Sequence, residues 1–338
     1  MLKRILTAAL YAAAASGLWA DEGRTPIFKP TIITRPGDYV LTRDVVAAGD
    51  VAISIQASGV TLDLHGHTIS DPSTSFALVG LGQGATDVTI RNGRLVGGTY
   101  GVLYGSGSPR VRVRLERLRL VGPLSTGIFI SGAEEVEVLS CDITGGPSQP
   151  FGIYVVGVIG PFGGRFVDNS IETQGNDALY LDGFLGGEIR GNRITSATKP
   201  GAYGINLQGA PNTPHGGNLI EGNTVILGAA NGIFLCGDCD SNVIIRNVVG
   251  GNGGTGIVAQ SGGNRIAENV LAGNGSVGIG ISGSRNLVEG NIVKDNFSCG
   301  VSFVGLGTEN AYRNNLLRGN TGGAICGTAT DAGGNILP

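Results

Sequence analysis

The sequence has 338 residues, a formal net charge of −3 and 14% charged residues, so no global excess of basic charge points to nucleic acid. Glycine contributes 61 residues without a collagen-like triplet period, and Val, Ile and Leu are plentiful, which excludes both collagen and a disordered glycine-rich chain. What remains is a chain of short β-branched runs punctuated by Gly, Asn and Asp, long enough for two or three ordinary domains or one solenoid.

Residues 1–20 read as a secretory signal peptide. Lys3 and Arg4 form a basic start, Ile5 to Ala15 is apolar and alanine-rich, small residues follow, and the first acids are Asp21 and Glu22. The apolar run is short for a transmembrane span, and no later stretch is long and apolar enough. The expectation is an exported protein, secreted or periplasmic, with cleavage after Ala20 and no membrane span in the mature chain. Residues 21–50 carry the turn signal Pro36-Gly37-Asp38 and read as an N-terminal cap.

From residue 51 to 330 the chain repeats, and residues 331–338 read as a tail. Asn223, Asn247, Asn269, Asn291 and Asn315 recur at intervals of 24, 22, 22 and 24 residues. Between them runs a second beat, Gly232-Ile233, Gly256-Ile257, Gly278-Ile279, Gly300-Val301 and Gly323-Ala324, traceable back to Ala77. A period of this size implies a solenoid in which each repeat buries its apolar face by stacking on its neighbours. About 12 coils at roughly 4.8 Å each predict a column on the order of 55 Å long. Each coil parses into three short strands, as in "GINL", "NLIEG" and "TVI" between Gly204 and Ile226. Asn223 stands at the bend between the second and third, a place that suits a residue tolerant of the left-handed region. Asn169, Asn192, Asn223, Asn247, Asn269, Asn291 and Asn315 are therefore expected in one buried ladder, with Gly93, Leu118 and Cys141 at the equivalent place in earlier coils. Cys141 is expected to be a buried structural thiol.

This pattern resembles the right-handed parallel β-helix proteins, the pectate-lyase-like superfold, over about residues 50–330. The stretch "PGDYVLTRDV…AISIQASGVTLDLHGHTI" is similar to the opening segment of a broad group of exported bacterial β-helix proteins. The resemblance implies an all-β, single-solenoid fold. Its enzymes carry the glycan groove on the Gly-Ile strand and its loops, which implies a polysaccharide partner, an acidic one being favoured, and lyase, hydrolase or epimerase chemistry. The calcium cluster of pectate lyases, the polygalacturonase set and the Asp-Pro-His-Asp motif of alginate epimerases are all absent, so no catalytic residue carries over. The alternative is a non-catalytic binding module or a structural spacer, and a monomer is expected under either reading.

The coils from Cys141 to Asn169 and from Asn192 to Asn223 are lengthened by inserts, "GGPSQP" and "GVIGPFGG" in the first, "SATKPGAY" and "GAPNTPHGG" in the second. Insertions in solenoids collect on one side, often the binding side. On the Gly-Ile strands Ile128, Ile153, Leu179, Ile205 and Ile233 point inward. Phe129, Tyr154, Tyr180, Asn206 and Phe234 then point outward in one row. Two positions on stand Ser131, Val156, Asp182, Gln208 and Cys236. The candidate substrate contacts are thus Phe129, Tyr154, Tyr180, Asn206, Gln208, Phe234 and Lys199 of the second insert. The candidate acid–base groups are Asp177, Asp182 and His215, with Asp177 and Asp182 alternatively holding Ca²⁺ and no other cofactor expected. An aromatic ladder stabilised by its own edge contacts is the competing reading.

Three further motifs have a plainer explanation. Asp63, His65 and His67 in "DLHGH" put two imidazoles on one face, yet they sit at the capped end of the column, and a structural role is favoured. Arg110, Arg112 and Arg114 alternate with Val111, Val113 and Leu115, with Arg117 and Arg119 beyond. That stripe reads as a solvated face paired with Glu134, Glu135 and Glu137 one coil later. Five cysteines leave at least one unpaired, and Cys236 and Cys239 in "CGDC" read as a turn disulfide or two free thiols.

Overall fold

A computed structural model describes residues 23–337 apart from 73–74, 146–150, 159, 174, 196–200, 210–214, 227, 229 and 306. The expected signal segment, Lys199 and parts of both inserts lie outside the described residues. The β-branched runs form strands that stack coil on coil into two parallel sheets, one of 13 strands and one of 24. A strand cannot pair in parallel with its immediate successor without a crossover, and here the rest of the coil is that crossover. The result is the all-β parallel β-helix that the period implied.

The 13-stranded sheet is built from the Gly-Ile beat. Ile128, Ile153, Leu179, Ile205 and Ile233 pair in register from strand to strand and are fully buried. One apolar residue stacks on the same position of the next coil, so a one-residue slip would turn the whole core face to water. The 24-stranded sheet holds two short strands per coil, as in Leu219–Glu221 and Thr224–Ile226. The core runs continuously from Ile27 to Leu317 between the two sheets.

The bend between those two strands differs from expectation in one respect. The left-handed residue is not the ladder asparagine but the one before it: Asp168, Gly191, Gly222, Arg246, Glu268, Gly290 and Asn314, with φ between 54° and 66°. That turn aims the next residue inward, and the asparagine spends its amide on hydrogen bonds instead. Asn247 Nδ2 donates to Ile220 O and to Asn269 Oδ1, while the Asn247 backbone N–H donates to the same Oδ1. Each buried amide thus satisfies its neighbour along the stack. Cys141 continues the ladder as a buried thiol, its N–H donating to Asn169 Oδ1, and burial raises its pKa to about 11.

Two more ladders run beside the expected one. Asn218, Asn242, Asn264, Asn286 and Asn310 form the second, and Asn252, Asn274, Asn296 and Asn320 form the third. Each asparagine again follows a left-handed residue. At both ends the stacking reaches further than the repeat suggests. Thr25–Ile27 pairs with Gly37–Leu41, Thr31–Ile33 with Val51–Ile55, and Asn335 accepts from Asn315. Disulfides join Cys236 to Cys239 and Cys299 to Cys326.

Candidate functional site

The outward register of the 13-stranded sheet carries aromatic side chains where strands lie 4.8 Å apart, so their rings must touch. Phe129 meets Tyr154 with ring centroids 5.2 Å apart, and Tyr154 meets Tyr180 at 4.5 Å. Sequence reasoning missed three members of the row. Phe76 packs on Tyr100 at 5.4 Å, Tyr100 on Phe129 at 5.9 Å, and Phe151 lies against both Tyr154 and Tyr180. Tyr100 and Phe151 stand at the starts of their strands, three positions before the alternating row, so a period-two count passes over them. The six rings form an unbroken band. At its N-terminal end opens a groove of about 550 Å³, lined among others by Gln56, Phe76, Tyr100, Leu103 and Phe129. It therefore starts upstream of the segment that the inserts pointed to.

The band stops at Asn206, which was expected to face out with the rings. Asn206 is instead buried. Its Nδ2 donates to Asp177 Oδ2 at 2.7 Å, its Oδ1 accepts from Gln208 Nε2, and the Tyr203 N–H donates to Asp177 Oδ1. Both oxygens of Asp177 are thus engaged in fixing the 203–208 segment, whichever further role the residue has. Burial raises the Asp177 pKa against these two donors. Beyond the gap Phe234 pairs with Tyr203, centroids 5.1 Å apart.

Asp182 lies in register between Val156 and Gln208, half-buried at the edge of the band. Burial raises its pKa and the nearby His215 partly offsets that. Burial also raises the phenols of Tyr154 and Tyr180, with the Asp182 charge adding to both. The band is therefore a surface of neutral rings with one carboxyl at its border. Asp182 and His215 come together here, while Asp177 sits in the bracket beneath.

His215 is buried, and neither ring nitrogen has a hydrogen-bond partner among the described residues. Its neighbours are the sulfurs of Cys236 and Cys239, within 4.8 Å. The Cys236–Cys239 disulfide spans a turn whose Cα atoms are 5.2 Å apart.

The other motifs resolve as structure. Asp63 is buried rather than outward. It accepts from the His65 N–H at 2.9 Å and from Asn92, and pairs with Arg24 and Arg91. His67 pairs with Asp44 at 3.3 Å. Most of the arginine stripe is ion-paired: Arg112 with Asp87 and Glu134, Arg114 with Glu116 of its own strand and Glu137 of the next coil, and Arg119 with Asp142, while Arg110 donates to the Ala133 and Pro161 carbonyls.

Comparison with known proteins follows this geometry. Residues 152–325 match the family described as Periplasmic copper-binding protein (NosD). Among curated proteins, none matches the chain. Among solved structures, the mannuronan C-5 epimerase AlgE6 A-module of Azotobacter vinelandii is similar with a TM-score of 0.69 and 17% identity, covering 90% of this chain and 91% of that one. The catalytic domain of a GH87 α-1,3-glucanase solved with tetrasaccharides gives 0.52 at 12% identity, covering 89% and 63%. The Dettilon tailspike protein gives 0.51 at 15%, covering 91% and 60%. At these identities the likeness is one of fold. Among the described residues no helix is long and apolar enough to cross a membrane.

Proposed function

This chain belongs to the NosD family, and from that premise we propose that it is an exported, monomeric β-helix protein that binds a polysaccharide along its aromatic band. The observation that carries this reading is the run of six touching rings, partly open to solvent, leading into a groove of about 550 Å³. Sugar rings stack their apolar faces on such surfaces, and polar groups at the border fix orientation. Phe129, Tyr154 and Tyr180 supply the platform, Asp182 and Gln208 the polar border, and Phe234 the far end. The bracket of Asp177 and Asn206 holds that far end in place. Two of the similar folds carry glycan chemistry in their names, a mannuronan epimerase and an α-1,3-glucanase. The signal-like start and the periplasmic description of the family support export. The arginine stripe is engaged in ion pairs and, at Arg110, in hydrogen bonds to backbone carbonyls, so a preference for an acidic glycan rests on the resemblance to uronate-acting folds.

Isothermal titration of the purified protein against uronate polymers and neutral glucans tests the reading. Binding to at least one polymer is expected. Tyr154→Ala should weaken it roughly three- to tenfold, as removal of one stacked ring does, and Val258→Ala, in the same register down the column, should leave it unchanged. No binding across the panel, or a Tyr154→Ala variant as tight as the parent, would sink the proposal. A second reading, turnover, rests on Asp182, a half-buried carboxyl whose raised pKa suits proton transfer. Reducing ends or unsaturated products that disappear in Asp182→Asn would support it.

A further inference from the structure

We propose that His215, Cys236 and Cys239 form a binding site for a soft cation, Cu(I), that the Cys236–Cys239 disulfide closes and its reduction opens. The backbone assembles the trio. Gly216 bridges to Asp240 of the next coil, so the preceding positions, 215 and 239, lie side by side. The CGDC turn then brings Cys236 back to Cys239, with the Cys239 N–H donating to Cys236 O at 3.2 Å. That turn is held by the second asparagine ladder, since Cys239 O accepts from Asn242 Nδ2 and from Ser261 Oγ.

The imidazole carries the argument. His215 is 6% exposed and both its nitrogens lack a partner among the described residues. A buried polar group left unsatisfied costs about 1–3 kcal/mol, and among the described residues two sulfurs lie within 4.8 Å of the ring nitrogens, with the Asp182 carboxyl also near. The ring is also held in place. A Cβ on Gly209 would stand 1.9 Å from His215 Nε2, so the imidazole lies flat on backbone that must be glycine. One neutral nitrogen and two sulfurs, all within 4.8 Å of one another and nearly sealed from water, make a soft set. Thiolate and imidazole donors select Cu(I) and Zn²⁺ and reject Ca²⁺, which needs six or more oxygens. The family description as copper-binding favours Cu(I) between those two.

With the disulfide closed, the sulfurs have no thiolate to offer. A dithiol reductant opens the site: its two thiols give two electrons and two protons to the S–S bond, it leaves as its own disulfide, and Cys236 and Cys239 become thiols. Binding then releases both thiol protons as two Cu–S bonds form, leaving a complex of net charge −1. His215 supplies a neutral third donor. A small-molecule disulfide closes the site: it takes two electrons from the Cys236 and Cys239 thiolates and two protons from solvent, leaves as two thiols, and the new S–S bond frees Cu(I), so occupancy follows the thiol–disulfide poise of the compartment.

The full chain, reduced with a dithiol and freed of it without oxygen, is titrated with Cu(I) against a chromophoric Cu(I) chelator. One equivalent of Cu(I) should bind to the reduced protein, and the oxidised protein should bind at least about 100-fold more weakly, as loss of both thiolates requires. X-ray absorption should show sulfur and nitrogen neighbours. His215→Ala and the milder His215→Gln should each weaken binding by about tenfold or more. A Cys299→Ser, Cys326→Ser pair, which removes the other disulfide, should bind like the parent. Equal binding by oxidised and reduced protein, retention in Cys236→Ser with Cys239→Ser, or tighter retention of Zn²⁺ than Cu(I) would each overturn the assignment. Glycan affinity is read separately, so failure of one site leaves the other standing.

Discussion

The coils before Cys141 and those after Asn169 solve one problem in two ways. Every coil must turn its chain three times and satisfy the backbone it buries there. After Asn169 a neutral amide does this, passed from coil to coil in three parallel ladders. Before Cys141 the ladder positions hold Gly93 and Leu118. There the left-handed bend is kept, at Asn92 and Arg117, but no asparagine amide follows it, and strand pairing continues on both sides of it within Asp87–Gly97 and Val111–Val121. At the buried position of those early coils the link is ionic, with Asp63 bridging Arg24 and Arg91 from the coil on either side, whereas the later ion pairs, as at Arg246 and Glu289, run beside the amide ladders. The outer faces differ too. One register position is Phe129, Tyr154 and Tyr180, a row that runs from before Cys141 into the first ladder coils, and further down it is Val258, Gly280 and Ser302. The last coils are a plain column, and the aromatic band lies on the coils before Asn206.

The comparison is most easily broken in the middle of the ladder. Asn247→Ala strands the Asn223 N–H and Nδ2 that it accepts, together with the backbone groups it served. At about 1–3 kcal/mol for each buried group, a loss of roughly 3–5 kcal/mol is expected in urea unfolding. Asp63→Ala should cost less, about 2–4 kcal/mol, by leaving arginines without their buried partner, and its effect should be confined to the N-terminal coils in hydrogen exchange.

The two halves should also separate with pH. Burial acts to raise the Asp63 pKa, but the His65 N–H, the Asn92 amide and Arg91 outweigh it and hold the carboxyl below its ordinary value of 3.8. Folding therefore gains from this group above 3.8, and the gain is lost as pH falls through the lowered value. The ladder amides around Asn247 have nothing to titrate; further along, Glu289 is also held below its ordinary value, its burial outweighed by Arg313 and Arg265. Hydrogen exchange below pH 4 (roughly the unperturbed Asp range) should open the coils around Asp63 before those around Asn247. Uniform opening would contradict the contrast. The smallest effect is expected at the junction. Cys141→Asn should extend the ladder by one rung, because Sγ already lies 3.8 Å from Leu115 O and the adjacent N–H already reaches Asn169. A gain of about 0.5–1.5 kcal/mol is expected in thermal unfolding.

Much of this molecule was legible in its sequence because the determinants are local and repeated. Alternation of apolar and polar residues sets which side chains enter the core, and intervals of 22 to 24 residues set the stacking. The ladder from Asn169 to Asn315, the buried Cys141 and the ring contacts of Phe129, Tyr154 and Tyr180 all follow from those two rules. The second and third ladders were equally readable, since Asn242, Asn264 and Asn286 recur at intervals of 22, as do Asn252, Asn274 and Asn296.

Other features depend on where one coil lies against the next. Asn206 breaks the aromatic band because Asp177, 29 residues earlier, reaches it. Phe76 and Tyr100 join the band because ring size bridges registers that a strand count keeps apart. His215 stands beside Cys236 and Cys239 only through the Gly216–Asp240 bridge, after an insert whose length no period predicts. Sequence alone determined the column, since each coil copies its neighbour's rules. The binding surface and the buried imidazole were decided by tertiary structure, since both arise where coils of unequal length are forced into register.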